Sequence, residues 1–139
     1  MASAVARRRK GYEHEIEIRE HRLIADEPRE KGGSDQGPKP TEMLAASLAG
    51  CTAITIEMYA DRKEWGLGTV EVAVDFTEST PDDPATFDVR ITLGAELSED
   101  SRDRLLTIAG KCPVHKALKA QDVAIHDSLD LIEDFEDED

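Results

Sequence analysis

Residues 40–62 read PTEMLAASLAGCTAITIEMYADR, and the rest of the chain is organised around this stretch. Between Met43 and Ala60 the only carboxylic acid is Glu57. Leu44, Leu48, Cys51, Thr55 and Met58 recur at three- and four-residue steps, and Ala45, Ala49, Thr52, Ile56 and Tyr59 form a second row beside them. That periodicity is helical and apolar on nearly all sides. Such a helix has to be covered all round, by the chain's own sheet, by a partner chain or by lipid. Ser, Thr, Gly and Glu interrupt a run already at the lower length limit for a bilayer span, which disfavours lipid. Cys51 sits in the middle of the run. Free cysteine is among the most buried residue types, and mid-helix burial disfavours the thiolate unless a cation is brought to it. On this stretch alone Cys51 reads as packing or as chemistry.

Upstream, Tyr12, His14, Ile16 and Ile18 alternate with Glu13, Glu15 and Glu17, a half-buried strand with an acidic outer face. A turn at Glu20-His21 leads to a second strand over Arg22–Ala25. DEPREKGGSDQGPKP, residues 26–40, holds three prolines and three glycines and reads as a loop placed to line a site. Thr41 is the predicted helix N-cap, with Glu42 in the first turn where the helix dipole favours an anion. The helix is predicted to end near Asp61–Gly66.

Downstream, Val70, Val72, Val74 and Phe76 alternate with polar or small residues, as do Phe87, Val89, Ile91 and Leu93; ESTPDDPA between them makes a hairpin. Ser98 caps a second helix with an apolar face of Leu105, Leu106, Ile108 and Ala109. Gly110–Pro113 interrupts it, a helical piece follows over Val114–Ala120, and Val123–His126 reads as a last short strand. The order β-β-α-β-β-α-β with hairpin connections predicts an α+β fold, a mostly antiparallel sheet wrapping the first helix.

At 139 residues the chain is long enough for one core, a single domain over 1–130 followed by an acidic tail over 131–139. The formal net charge is −14, and eight of the acids lie in Asp127–Asp139, which reads as a solvated, disordered end. Arg7, Arg8, Arg9 and Lys10 form the only basic run, too short in an acidic chain to argue for nucleic acid. The N-terminus has no apolar signal region and no segment reads as membrane-spanning, so the expected location is cytoplasmic. The two cysteines, Cys51 and Cys112, lie 61 positions apart and form no CxxC pair. In a reducing compartment a permanent structural disulfide is disfavoured, leaving buried small residues or working thiols.

Pro113 suits the first turn of a helix, which places Cys112 near its N-cap. Unpaired backbone N–H groups there favour a thiolate, and His115, Lys111 and Lys116 add in the same direction. The plainer reading is an inert cysteine at a kink. Cys112-x-x-His115 is half of a zinc ligand set with no second pair at ligand spacing. His14, His21 and His126 fall on predicted strands as exposed or structural residues.

GGSDQGPKPTEMLAASLAGCT, followed about sixty residues later by IAGKCPVHKAL, resembles the OsmC/Ohr family of thiol-dependent hydroperoxide reductases. The resemblance covers Tyr12 to Leu129. It implies an OsmC-like fold in an intertwined homodimer, central cysteine-bearing helices swathed by sheet from both chains. It implies that Cys51 is the peroxidatic thiol and Cys112 the resolving one, with a peroxide substrate (organic or hydrogen peroxide), an external dithiol reductant, and no metal or organic prosthetic group. The family uses an arginine from the N-terminal hairpin region held by a glutamate at the start of the cysteine helix. Arg19 falls at that arginine, with Arg22 the close alternative, and Glu42 at the glutamate. One departure stands out. Thr41 intervenes between proline and glutamate, so Glu42 and Cys51 are nine residues apart, about 180° around a straight helix. The Pro-x-Glu-x-Leu form matches the broader OsmC-like branch. The alternative function is a non-catalytic dimer of the same fold, binding a small apolar ligand or sensing redox state.

Overall fold

The computed structural model describes residues 1–132; the acidic tail expected over 131–139 lies outside them from residue 133 onward. The chain is α+β, and its described residues form two antiparallel sheets and three α-helices. Strands β1 (Val5–Lys10), β2 (Glu13–Ile18) and β3 (His21–Ala25) form one sheet in that order. A long loop with a short 3₁₀ turn at Arg29–Lys31 leads to α1 (Pro40–Arg62). The hairpin β4 (Val70–Thr77) and β5 (Thr86–Leu93) is the second sheet, followed by α2 (Glu99–Ala109) and α3 (Pro113–Lys119).

Strand β1 is the basic run, which carries no apolar alternation and so no strand signal of its own. It becomes a strand because its partner β2 is acidic: Arg7 stands across from Glu15 and Lys10 from Glu13. Arg7 bonds Glu17 at 2.9 Å and Arg9 pairs with Glu13 at 3.3 Å. Opposite charges across an antiparallel pair favour the register. The turn from β2 to β3 is Arg19-Glu20, one residue earlier than Glu20-His21, since Ile18 pairs with His21.

The loop from Asp26 to Pro40 is built around one carboxylate. Asp26 is only 2% exposed. It accepts the backbone N–H groups of Glu27 (2.7 Å), Gln36 (3.1 Å) and Ser34 (3.3 Å). The chain folds so tightly here that a Cβ on Gly33 or Gly37 would run into the Glu27 or Ile24 carbonyl.

Helix α1 starts one residue before the predicted cap. Lys39 is the N-cap and Pro40 opens the helix, where its missing N–H costs nothing and its fixed φ is already helical. Glu42, three residues past the cap, accepts the Lys39 N–H at 2.9 Å. The C-terminus closes as a Schellman turn. Glu64 takes the left-handed conformation (φ 58°) usually given to glycine, and the Trp65 N–H reaches back to the Ala60 carbonyl at 2.8 Å.

The core joins the C-terminal half of α1 to α2. Ile56, Tyr59, Ala60, Leu67, Leu105, Ile108 and Ala109 form one cluster, flanked by Trp65, Val70, Ile91, Leu93 and Leu97. Leu48, Thr52, Ile56, Tyr59 and Ala60 make the buried stripe of α1. The side of α1 facing away is bare: Ser47, Gly50, Ile54 and Met58 are exposed, Ile54 at 53% and Met58 at 59%. By length and composition α1 could cross a membrane; here it packs on β4, α2 and α3. The wrapping sheet expected around it is only half supplied by its own chain. β4–β5 covers α1, whereas the β1–β3 sheet does not pack extensively on any helix of the chain.

The last strand predicted at Val123–His126 does not form. Among the described residues no strand pairs with this segment, and Val123 and Ile125 are 59% and 81% exposed. Its alternation is real, but it pairs with none of the open sheet edges of the described residues.

Candidate redox site

The fold brings Cys51 and Cys112 together. They form a disulfide between the middle of α1 and the start of α3, with Cα atoms 5.9 Å apart across 61 positions of sequence. Cys112 is fully buried and is the N-cap of α3, with Pro113 in the first turn, as its local sequence predicts. Its Sγ accepts the His115 N–H at 3.4 Å, and its carbonyl accepts the Lys116 N–H at 3.0 Å. Cys51 is partly exposed, next to Gly50 and three residues before Ile54, at the border of the bare face of α1.

Among the described residues two buried side-chain polar atoms lack a hydrogen-bond partner, Oγ1 of Thr52 and Nδ1 of His115. One follows Cys51 directly; the other lies a helical turn beyond Cys112. A buried polar atom left unpaired costs about 1–3 kcal/mol, so such atoms call for an explanation. His115 was legible in the sequence as a cation near Cys112; Thr52 carried no signal beyond its place in an apolar row.

Glu42 sits at the other end of α1. The helix is continuous from Pro40 to Arg62, so nine residues put Glu42 about 13 Å along the axis from Cys51 and on its opposite side. Glu42 closes the first turn and lines an open groove of about 810 Å³, with Glu27, Lys31 and Lys39 from the loop and Val74 and Phe76 from β4. Within one chain this groove does not include Cys51.

Arg19 stands at the tip of the β2–β3 hairpin with its side chain 72% exposed, 3.6 Å from Glu20. Its φ of 53° is left-handed, a conformation that costs a non-glycine residue about 1–2 kcal/mol. Arg22 is engaged within its own sheet, reaching Glu15 at 3.0 Å and Glu17 at 3.3 Å. The hydrogen bond from Arg7 and the charge of Arg22 hold Glu17 below the usual carboxylate range. His14 bonds the Tyr12 carbonyl at 2.9 Å through Nδ1, and His21 and His126 are exposed. Among the described residues no group of three or more His, Cys, Asp or Glu side chains is placed to hold a metal ion.

Residues 32–126 match the family model described as OsmC-like protein. The match takes in more than half of the chain and both cysteines, and the chain belongs to the OsmC-like family. A search of curated proteins returned no match. The fold resembles a Psychrobacter arcticus protein provisionally named an osmotic stress induced and detoxification response protein, at 22% identity and TM-score 0.74, over 84% of this chain and 88% of that one. It also resembles an OsmC-like protein from Mycoplasma pneumoniae, at 16% identity and TM-score 0.75, over 87% and 89% of the two chains. A third likeness is to an organic hydroperoxide resistance protein from Legionella pneumophila, at 22% identity and TM-score 0.62, over 84% and 89%. At these identities the likeness is one of fold.

Proposed function

We propose that this protein is a dimeric, thiol-dependent hydroperoxide reductase, acting on organic hydroperoxides or hydrogen peroxide in oxidative-stress defence. The observation that carries the reading is the Cys51–Cys112 disulfide, formed between a partly exposed cysteine and a buried one from distant parts of the chain. In the proposed cycle the Cys51 thiolate attacks the distal oxygen of ROOH. The O–O bond breaks, the alkoxide leaves as ROH after taking a proton, and Cys51 becomes a sulfenic acid. The Cys112 thiolate then attacks that sulfur, expelling hydroxide that is protonated to water. An external dithiol returns the disulfide to two thiols. The name of the Legionella relative supports hydroperoxides as the substrate class.

The reading includes an intertwined homodimer. Its support is the bare Ser47–Gly50–Ile54–Met58 face and the N-terminal sheet, which packs extensively on none of the described helices. A partner would cover both and bring its own hairpin tip to the Cys51 border. Arg19 is the cation we assign to the Cys51 thiolate, since Arg22 is already held by two carboxylates while Arg19 is loosely held on a strained turn. Glu42 is assigned to steady that arginine. A cytoplasmic location accompanies the reading, as the compartment that supplies dithiol reductants.

The test is peroxide consumption with a dithiol donor, comparing wild type with Cys51→Ser. Turnover in the wild type and none in the variant is the expected result. Intact mass after one equivalent of cumene hydroperoxide should show loss of two hydrogens in the wild type and in neither single-cysteine variant. A wild type inert with every dithiol would instead favour a ligand-binding or redox-sensing dimer.

A further inference from the structure

The two sulfurs of the disulfide are held differently. Cys112 is 0% exposed within its own chain, so no partner can open it, whereas Cys51 is partly open there and is the sulfur that peroxide must reach in the proposed cycle. The Cys112 sulfur already accepts a backbone N–H, that of His115 at 3.4 Å, at the start of α3. Cys51 lies deep within the 23-residue α1, where backbone N–H groups are consumed by the helix itself, and among the described residues its sulfur accepts no hydrogen bond. His115 occupies the third helical position after Cys112, from which a side chain can reach back to the cap. Its Nδ1 is buried and has no partner while the disulfide is intact.

In thiol–disulfide exchange the incoming thiolate needs access to the sulfur it attacks, and the sulfur better stabilised as a thiolate leaves faster. Both criteria select the same direction here. We propose that the disulfide is polarised: an external thiolate opens it at Cys51 and expels Cys112, with His115 as the positioning residue that stabilises the departing sulfur. The proposal rests on the two-cysteine cycle above and adds which sulfur the reductant meets. In the first step the reductant's thiolate bonds to Sγ of Cys51, the Cys51–Cys112 bond breaks, and its electron pair goes to Cys112. In the second step the other thiol of the dithiol, deprotonated, attacks the mixed disulfide and closes a disulfide within the reductant. Cys51 then leaves as the thiolate that meets peroxide. The dithiol gives up two electrons and two protons, one proton to the His115 imidazole and one to solvent.

A monothiol stalls at the first step, which makes the direction measurable. The full chain is oxidised with diamide, treated with a limiting amount of glutathione, quenched in acid, alkylated and mapped by peptide mass. The expected product carries glutathione on Cys51 and the alkyl group on Cys112. Glutathione on Cys112, or an even split, overturns the proposal. Because diamide replaces peroxide, a protein without peroxidase activity still gives an answer, so this outcome is separable from that of the turnover assay. The part played by His115 is read in a Cys51→Ser background, from the ultraviolet absorbance of the Cys112 thiolate at neutral pH. Adding His115→Gln should lower the thiolate fraction roughly threefold or more. An unchanged fraction removes His115 from the proposal, and the wild-type map stands on its own if that variant does not fold.

Discussion

Arg104 donates from Nε to the phenolic oxygen of Tyr59 at 3.0 Å, tying α2 to the last turns of α1 across 45 positions of sequence. The Tyr59 ring meets Trp65 edge-on, with centroids 5.6 Å apart. Arg62 lies 6.0 Å from its centroid, and Lys63 and Arg104 each 5.8 Å. The hydrogen bond from Arg104 is the main cause of a phenol held below the ordinary tyrosine range; burial opposes it, and the charges of Arg104, Lys63 and Arg62 reinforce it. Followed by ultraviolet absorbance in a Tyr12→Phe background, the Tyr59 phenolate should appear at lower pH than free tyrosine. Arg104→Gln should move that midpoint upward, and an unmoved midpoint would show that the pair is not formed in solution.

Asp26 sets the acid limit of the loop that leads into α1. Burial alone would raise its pKa, but the N–H groups of Gln36, Glu27 and Ser34 outweigh it and hold the carboxyl below the usual aspartate range. The folded chain therefore favours the carboxylate. The stability this contributes is complete above the ordinary aspartate value, about 4, and is lost as pH falls through the lower folded value. Asp26→Asn should weaken the protein at neutral pH and flatten the acid limb of its stability curve. Urea denaturation at neutral and acid pH checks both.

Two isoleucines two positions apart on α1 should answer differently. Ile56 is 0% exposed and Ile54 is 53% exposed. Ile56→Ala should cost about 2–5 kcal/mol through the cavity it leaves. Ile54→Glu leaves that core intact but puts a charge on the bare face. Sedimentation should shift towards the monomer, and the loss of stability should depend on protein concentration. A concentration-independent loss would place the bare face in no interface.

Arg19→Gly separates strain from function at the hairpin tip. Glycine takes the left-handed conformation freely, so the variant should be more stable by about 1 kcal/mol, less whatever glycine adds to the freedom of the unfolded chain. Peroxide turnover should nevertheless fall by about tenfold or more, the loss of about 1.4 kcal/mol of transition-state stabilisation. Undiminished turnover would return the cation's role to Arg22 or to neither.

Much of the fold follows from local pattern, and the exceptions are instructive. The apolar periodicity of α1, the alternation of β4 and β5, and the Cys112 N-cap signalled by Pro113 each lie within a few consecutive residues. Strand β1 is hidden because Arg7 to Lys10 become a strand only against the acids of β2, a pairing that no single run displays. Val123 and Ile125 alternate like a strand, yet a strand exists only when it pairs, and among the described residues this segment pairs with no sheet edge. The Asp26 staple is invisible because its three donors are spread through the loop up to ten residues away. At the site, the two cysteines and their pairing were legible through family resemblance. Thr52 was not, since a threonine in an apolar row looks the same whether or not its hydroxyl has a partner.

The crosslink from Cys51 to Cys112 encloses most of α1's core contacts, the β4–β5 hairpin and α2 in one covalent ring. A ring of that span removes enough freedom from the denatured chain to favour the native state by about 4 kcal/mol in the chain-entropy view. The thermodynamic cycle runs both ways: the same energy makes the native chain hold its crosslink about a thousandfold more tenaciously than the denatured chain does. Heat resistance and readiness to be reduced are thus two readings of a single quantity. A thermal melt recorded with and without reductant would serve as a gauge of how much of the protein carries the crosslink.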